Sequence, residues 1–139
     1  IQEFKARIII FSGPGEDNLA QCVRNKMVNR PVIAGGIKLR HFAALVERCS
    51  LFICNDSGPM HIAAALKVPI VAIFGPTDHV RWRPYSGNAI VVRKDMDCWP
   101  CSAHKCVKEH ECIKSLPIGD VWNAVISCLK NENREHTYL

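Results

Sequence analysis

The stretch LFICNDSGPMHIAAALKVPIVAIFG, residues 51–75, constrains the fold more tightly than any other. Its two ends, LFIC and PIVAIF, are unbroken apolar runs rather than alternating ones, so each strand needs cover on both faces. Residues 55–68 between them suffice for one helical crossover, which is the connection a parallel strand pair requires. A strand, a helix and a parallel strand follow from the patterning of this segment.

The same alternation extends through the chain. Arg7 to Phe11 reads as a buried strand ending in the loop SGPGED. Asp17 to about Val28 reads as a helix with Leu19, Ala20, Val23 and Met27 on one face and Asp17 or Asn18 as capping candidates. PVIAGG is a second strand, and Leu39, Phe42, Ala43, Val46 and Cys49 mark one face of an amphipathic helix. LFICN is the third strand, His61 to Leu66 a helix that Pro69 ends, PIVAIFG the fourth strand and residues 89–93 the last. Ile118, Val121, Trp122, Val125, Ile126 and Leu129 form a final helical stripe, beyond which the polar NENREHTYL is expected to fray. The pattern specifies an α/β fold, a doubly wound, Rossmann-like parallel sheet, and the length of 139 residues suits one domain. Ligands of such sheets bind beyond the carboxyl ends of the strands, so the loops after Phe11, Ala34, Cys54 and Phe74 are expected to line one crevice.

Bulk properties narrow the function. The formal charge of +5 comes from scattered Lys and Arg residues, and only 7% of residues are aromatic, which argues against nucleic acid as a partner. No apolar run reaches the roughly 18 to 20 residues of a membrane-spanning helix, and no leader with a cleavage site opens the chain, so a cytoplasmic location is expected. A first residue Ile1, followed almost at once by a strand, is the pattern of a piece of a longer protein.

The unusual residues lie in the loops. Asp56, Ser57 and Gly58 end one strand and open a helix, where unpaired N–H groups and the helix dipole favour a phosphate. A carboxylate beside a phosphate is repulsive, so Asp56 fits a sugar hydroxyl better, or it caps the helix. The plainer alternative makes Asp56 or Ser57 an N-cap and His61 a satisfied core histidine. Glu16 closes SGPGED at a place suited to accepting hydrogen bonds from ribose hydroxyls; its alternative is a solvated turn residue. FGPTD, residues 74–78, ends a strand in the same manner.

DSGPMHIAAALKVPIVAIFGPTD, followed by a cysteine-rich loop and a closing helix, resembles the C-terminal, donor-binding domain of glycosyltransferase family 9, the bacterial heptosyltransferases of lipopolysaccharide core synthesis. The likeness extends back to IIIFSGPGED and through the helix from Leu39 to Cys49. It implies the two-domain GT-B architecture and transfer of heptose from ADP-heptose to an inner-core lipopolysaccharide acceptor at the inner membrane surface, with this chain supplying the donor half. It further implies Glu16 on the ribose, the backbone near Ile37 on the adenine, and Asp56 on sugar hydroxyls. Ser57 and Gly58 then face the diphosphate, and His61 contacts the phosphate or braces the loop. The general base belongs to the protein's own N-terminal domain, so no catalytic residue is expected in this chain. No cofactor is expected for catalysis, since such a fold uses backbone dipoles and basic side chains in place of a catalytic metal. The isomerase alternative is a sugar-nucleotide 2-epimerase of the same architecture, which shares the D-S-G turn but follows it with glycine and acidic residues where this chain has Pro59, Met60 and His61. A non-catalytic nucleotide- or metal-binding module is the third reading.

The eight cysteines fall into two sets. Cys22, Cys49, Cys54 and Cys128 stand singly within apolar patterns. Cys98, Cys101, Cys106 and Cys112 give C-x2-C-x4-C-x5-C, with His104 and His110 interleaved, a candidate structural zinc site in a loop over residues 98–112. Reduced free thiols, disulfides or an iron–sulfur cluster are the alternatives.

Overall fold

The computed structural model describes residues 6–101 and 105–135. Two compact units divide the chain, with the boundary between Phe42 and Ala43.

In the first unit, β1 (Ile9–Ser12) and β2 (Val32–Gly35) pair in parallel, in register from Ile9↔Val32 to Ser12↔Gly35, and α1 (Asp17–Asn25) is the crossover between them. Two four-residue strands offer little surface to cover. Ala20 is therefore the buried residue of α1, whereas Leu19 and Val23, expected on the same face, are exposed. The helix stops earlier than expected because Lys26 and Met27 donate to the carbonyls of Val23 and Arg24, which tightens the last turn. Phe11 and Phe42 meet edge to face with ring centroids 5.0 Å apart.

The helix α2 (Leu39–Val46) leads into the second unit. There β3 (Phe52–Asn55), β4 (Ile70–Phe74) and β5 (Ala89–Arg93) form a parallel sheet in that spatial order, with β4 at the centre. Its register runs from Phe52↔Ile70 to Asn55↔Ile73 on one side and from Ile70↔Ala89 to Phe74↔Arg93 on the other. One face of β4 presents Val71, which clusters with Val92 of β5 and with Ala124, Val125 and Cys128 of α6 (Ile118–Glu135). The opposite face presents Ile70, Ala72 and Phe74, all fully buried, while α3 (Gly58–Ala65) contributes the buried Met60, Ala63 and Ala64 and packs on β3 and β4. Burial on both faces is the physical reason β4 reads as an unbroken apolar run, whereas the edge strand β3, equally apolar in sequence, leaves Ile53 51% exposed.

Four features depart from expectation. Among the described residues the strands form two ladders, β1–β2 and β3–β4–β5, rather than one continuous sheet. Single-turn helices α4 (His79–Trp82) and α5 (Glu111–Lys114) occupy segments read as loop, since four residues are too few for a periodic signal. The polar residues 131–135, expected to fray, continue α6, while 136–139 lie outside the described residues. Pro69 is not what ends α3. Lys67, at φ 59°, donates to the Ala64 carbonyl and Val68 to the Ala63 carbonyl, a Schellman turn closed two residues earlier.

Candidate functional site

Because β3, β4 and β5 are adjacent and parallel, their carboxyl-terminal loops emerge along one edge of the sheet. These are Asp56–Gly58 after β3, Gly75–Asp78 after β4 and the cysteine loop after β5. The Asp56 N–H donates to the Ile73 carbonyl at 3.2 Å, which carries the β3–β4 ladder into the first of these turns.

Ser57 holds the N-cap position of α3 in extended backbone, φ −161° and ψ 169°, yet no side chain caps the helix. The Ser57 hydroxyl donates backward instead, to the Asn55 carbonyl at 3.4 Å. Among the described residues the Asp56 carboxylate forms no hydrogen bond or ion pair, so the capping alternative for both residues fails. A Cβ added at Gly58 meets nothing within 4 Å; the protein's own packing does not require glycine there. His61 is exposed one turn into α3, which overturns the reading of a core histidine. Just before the turn, burial, with the Asp56 carboxylate adding to it, pushes the Cys54 thiol up to about 12. The Cys54 thiol therefore keeps its proton beside the turn.

The turn after β4 is built differently. Asp78 Oδ1 accepts from the N–H groups of Val80 at 2.9 Å and Arg81 at 3.2 Å, a true N-cap of α4. Behind it, the Trp99 indole Nε1 donates to the Thr77 carbonyl at 3.0 Å, the Cys101 N–H donates to the Pro76 carbonyl at 3.0 Å, and the His79 and Trp99 rings lie 4.6 Å apart. Neither Trp99 nor His79 stood out in the sequence; an aromatic residue between two loop cysteines was the only signal.

Cys98, Cys101, Cys106 and Cys112 border a single cavity of about 170 Å³, together with Met96 and Trp99. All four are free thiols, and the His110 N–H donates to Cys106 Sγ at 3.1 Å. Among the described residues no three His, Cys, Asp or Glu side chains converge as metal ligands; His104 lies outside them.

Glu16 and Ile37 belong to the first unit, on the loops that follow the paired strands β1 and β2. One Glu16 carboxylate oxygen accepts from the Gly13 N–H at 2.7 Å, and the Ser12 hydroxyl donates to Asp17 Oδ1 at 3.0 Å. Gly35 lies so close to this pair that an added Cβ would stand 2.6 Å from Ser12 Oγ and 2.7 Å from Asp17 Oδ1. Ile37 is half-buried, directly after Gly36 in the left-handed conformation at φ 62°.

Comparison with known proteins carries this geometry to a family. The profile of glycosyltransferase family 9 (heptosyltransferase) matches residues 1–111. Lipooligosaccharide heptosyltransferase 2 of Campylobacter jejuni subsp. jejuni serotype O:2 is 35% identical over 133 residues, 91% of this chain and 42% of that protein. Lipopolysaccharide heptosyltransferase 3 of Escherichia coli is 43% identical over 89 residues, 60% of this chain and 26% of its own. Among solved structures, a glycosyl transferase family 9 protein from Veillonella parvula superposes with a TM-score of 0.78 at 30% identity, over 93% of this chain and 38% of that one. The E. coli ADP-heptose lps heptosyltransferase II gives a TM-score of 0.79 at 21% identity over 95% of this chain and 39% of that one, a likeness of fold. The chain thus spans less than half the length of the relatives it matches. With four-fifths of its residues inside the profile, this chain belongs to glycosyltransferase family 9.

Proposed function

We propose that this chain is the donor-binding half of a glycosyltransferase of lipopolysaccharide core biosynthesis, one that moves heptose from ADP-heptose to an inner-core acceptor. The observation that carries the reading is the uncapped amino terminus of α3 beside Asp56. Helix-terminal N–H groups without a side-chain partner stabilise a diphosphate, and open space at Gly58 lets one approach the backbone. Asp56, without a side-chain partner among the described residues, is left to accept hydrogen bonds from sugar hydroxyls. Glu16 and Ile37 serve the ribose and the adenine, and His61 faces the phosphates or braces the turn.

In transfer, an acceptor hydroxyl attacks the anomeric carbon and the diphosphate leaves. Negative charge grows on the leaving group, where fixed backbone donors stabilise it without reorganising. The proton of the attacking hydroxyl goes to a base in the protein's own N-terminal domain, assembled with this half on closure. The acceptor places the enzyme at the cytoplasmic face of the inner membrane; no helix among the described residues is long and apolar enough to cross a membrane. The 2-epimerase reading has no support in the family assignment.

Calorimetric titration of the complete protein with ADP, UDP, GDP and ADP-heptose tests the reading. Preference for ADP and tighter binding of ADP-heptose support it; preference for UDP or GDP overturns the adenine assignment at Ile37. Structural zinc on Cys98, Cys101, Cys106 and Cys112 is a separate proposal, resting on their spacing and their common cavity. One equivalent of zinc in anaerobically purified protein supports it, and a folded, metal-free protein overturns it.

A further inference from the structure

The cysteine loop does more than enclose a cavity: it grips the turn after β4 by two successive carbonyls. Trp99 Nε1 holds the Thr77 carbonyl and the Cys101 N–H holds the Pro76 carbonyl, each at 3.0 Å. In a trans peptide the carbonyl and the N–H of the same unit point in opposite directions. Holding these two carbonyls on the side of the loop therefore turns the Thr77 and Asp78 N–H groups to the other side. Among the described residues neither N–H has a backbone or side-chain acceptor.

The grip is reinforced around the indole. The Arg93 guanidinium lies 4.9 Å from the Trp99 ring centroid and pairs with Asp95 at 2.5 Å. His79, the residue after the cap Asp78, lies against the same ring and 6.5 Å from Phe74. The other side of the loop leaves no slack, since a Cβ at Gly75 would meet the Ile113 side chain at 2.6 Å and Cys112 Sγ at 3.6 Å.

We propose that Trp99 is a positioning residue of the donor site. It fixes the peptide planes of the Gly75–Asp78 turn so that the Thr77 and Asp78 N–H groups face a phosphate-bearing ligand, and the cysteine loop is the buttress that holds it in place. The proposal rests on the reading of this sheet edge as a nucleotide-sugar site.

The test uses the complete protein and the variant Trp99→Phe, which keeps an aromatic ring and loses the indole N–H. Loss of one positioning hydrogen bond is expected to weaken ADP binding about three- to tenfold while adenosine binding stays unchanged. Unchanged ADP affinity in the folded variant overturns the proposal, and so does an equal loss for ADP and adenosine, which marks general loosening. A wild-type protein that binds no nucleotide at all overturns the donor-site reading, a separate failure. If Trp99→Phe does not fold, amide resonances of the wild-type protein decide. Thr77 and Asp78 should shift with ADP and stay in place with adenosine; no shift with ADP overturns the proposal.

Discussion

Two turns in the second unit leave adjacent parallel strands and open helices, yet they treat the helix terminus in opposite ways. After β4, Asp78 caps α4 with two hydrogen bonds to one carboxylate oxygen. After β3, Asp56 and Ser57 occupy the equivalent place in sequence and neither side chain caps α3. In the first unit the turn after β1 also closes on itself, through Glu16 to Gly13 and Ser12 to Asp17. A helix whose first-turn donors are met by its own cap needs no ligand at those donors; the Thr77 and Asp78 N–H groups precede the capped turn and are not among them. A helix that leaves its donors open, beside a carboxylate without a partner among the described residues and an unobstructed glycine, has the donors that the proposed diphosphate would use.

The sharpest check concerns the thiol that lies just before the open turn. With Cys54 pushed up to about 12 from an ordinary 9.0, its thiolate population at pH 8 falls roughly a thousandfold below that of an ordinary thiol. Iodoacetamide labelling followed by mass spectrometry should therefore modify the exposed Cys22 while Cys54 stays unlabelled. Fast labelling of Cys54 breaks the reading of it as a buried, protonated thiol. The same shift has a signed consequence for stability. The folded chain keeps a proton that the unfolded chain releases between about pH 9 and about pH 12, so stability falls across that window, and Cys54→Ala removes that component.

Substituting the two aspartates tests the contrast itself. Asp56→Ala is expected to weaken ADP-heptose binding by about ten- to a hundredfold, through lost hydrogen bonds to a charged acceptor, with a smaller loss for ADP. Its stability should change by less than about 0.5 kcal/mol, because no bond of the fold is removed. Asp78→Ala is expected to do the reverse, costing about 1 kcal/mol of stability in denaturant titration as the cap of α4 is lost. A stability loss for Asp56→Ala equal to that for Asp78→Ala would erase the distinction between the turns.

Much of this was legible in the chain because the signals were local. PIVAIF is apolar throughout since β4 is buried on both faces, whereas Ile53 in LFIC is 51% exposed on the edge strand β3; DSG and FGPTD fall where strands end. Capping was less legible. Asp56, Ser57 and Asp78 are all suitable cap residues by type, and what separates them is where each side chain points. The grip of Trp99 on Thr77 was out of reach for a further reason: it joins residues 22 apart through a backbone carbonyl, which leaves no mark on residue type. The four loop cysteines were legible as one cluster from their spacing alone, and they line one cavity.

The two ends of α3 repeat the contrast within one helix and at the smallest scale. Its amino terminus is open, whereas its carboxyl terminus is closed by the Schellman turn, with Val68 buried beneath it. That closure uses Lys67 at φ 59°, a conformation in which a Cβ crowds the backbone and glycine does not. Lys67→Gly is expected to stabilise the chain by about 0.5–1 kcal/mol, the relief of strain exceeding the added entropy of the unfolded state. Denaturant titration of both proteins measures it. Because the closed end faces away along the helix axis from Asp56, ADP-heptose affinity should not move; a change in affinity would mean that the open turn depends on how tightly α3 is closed at its far end.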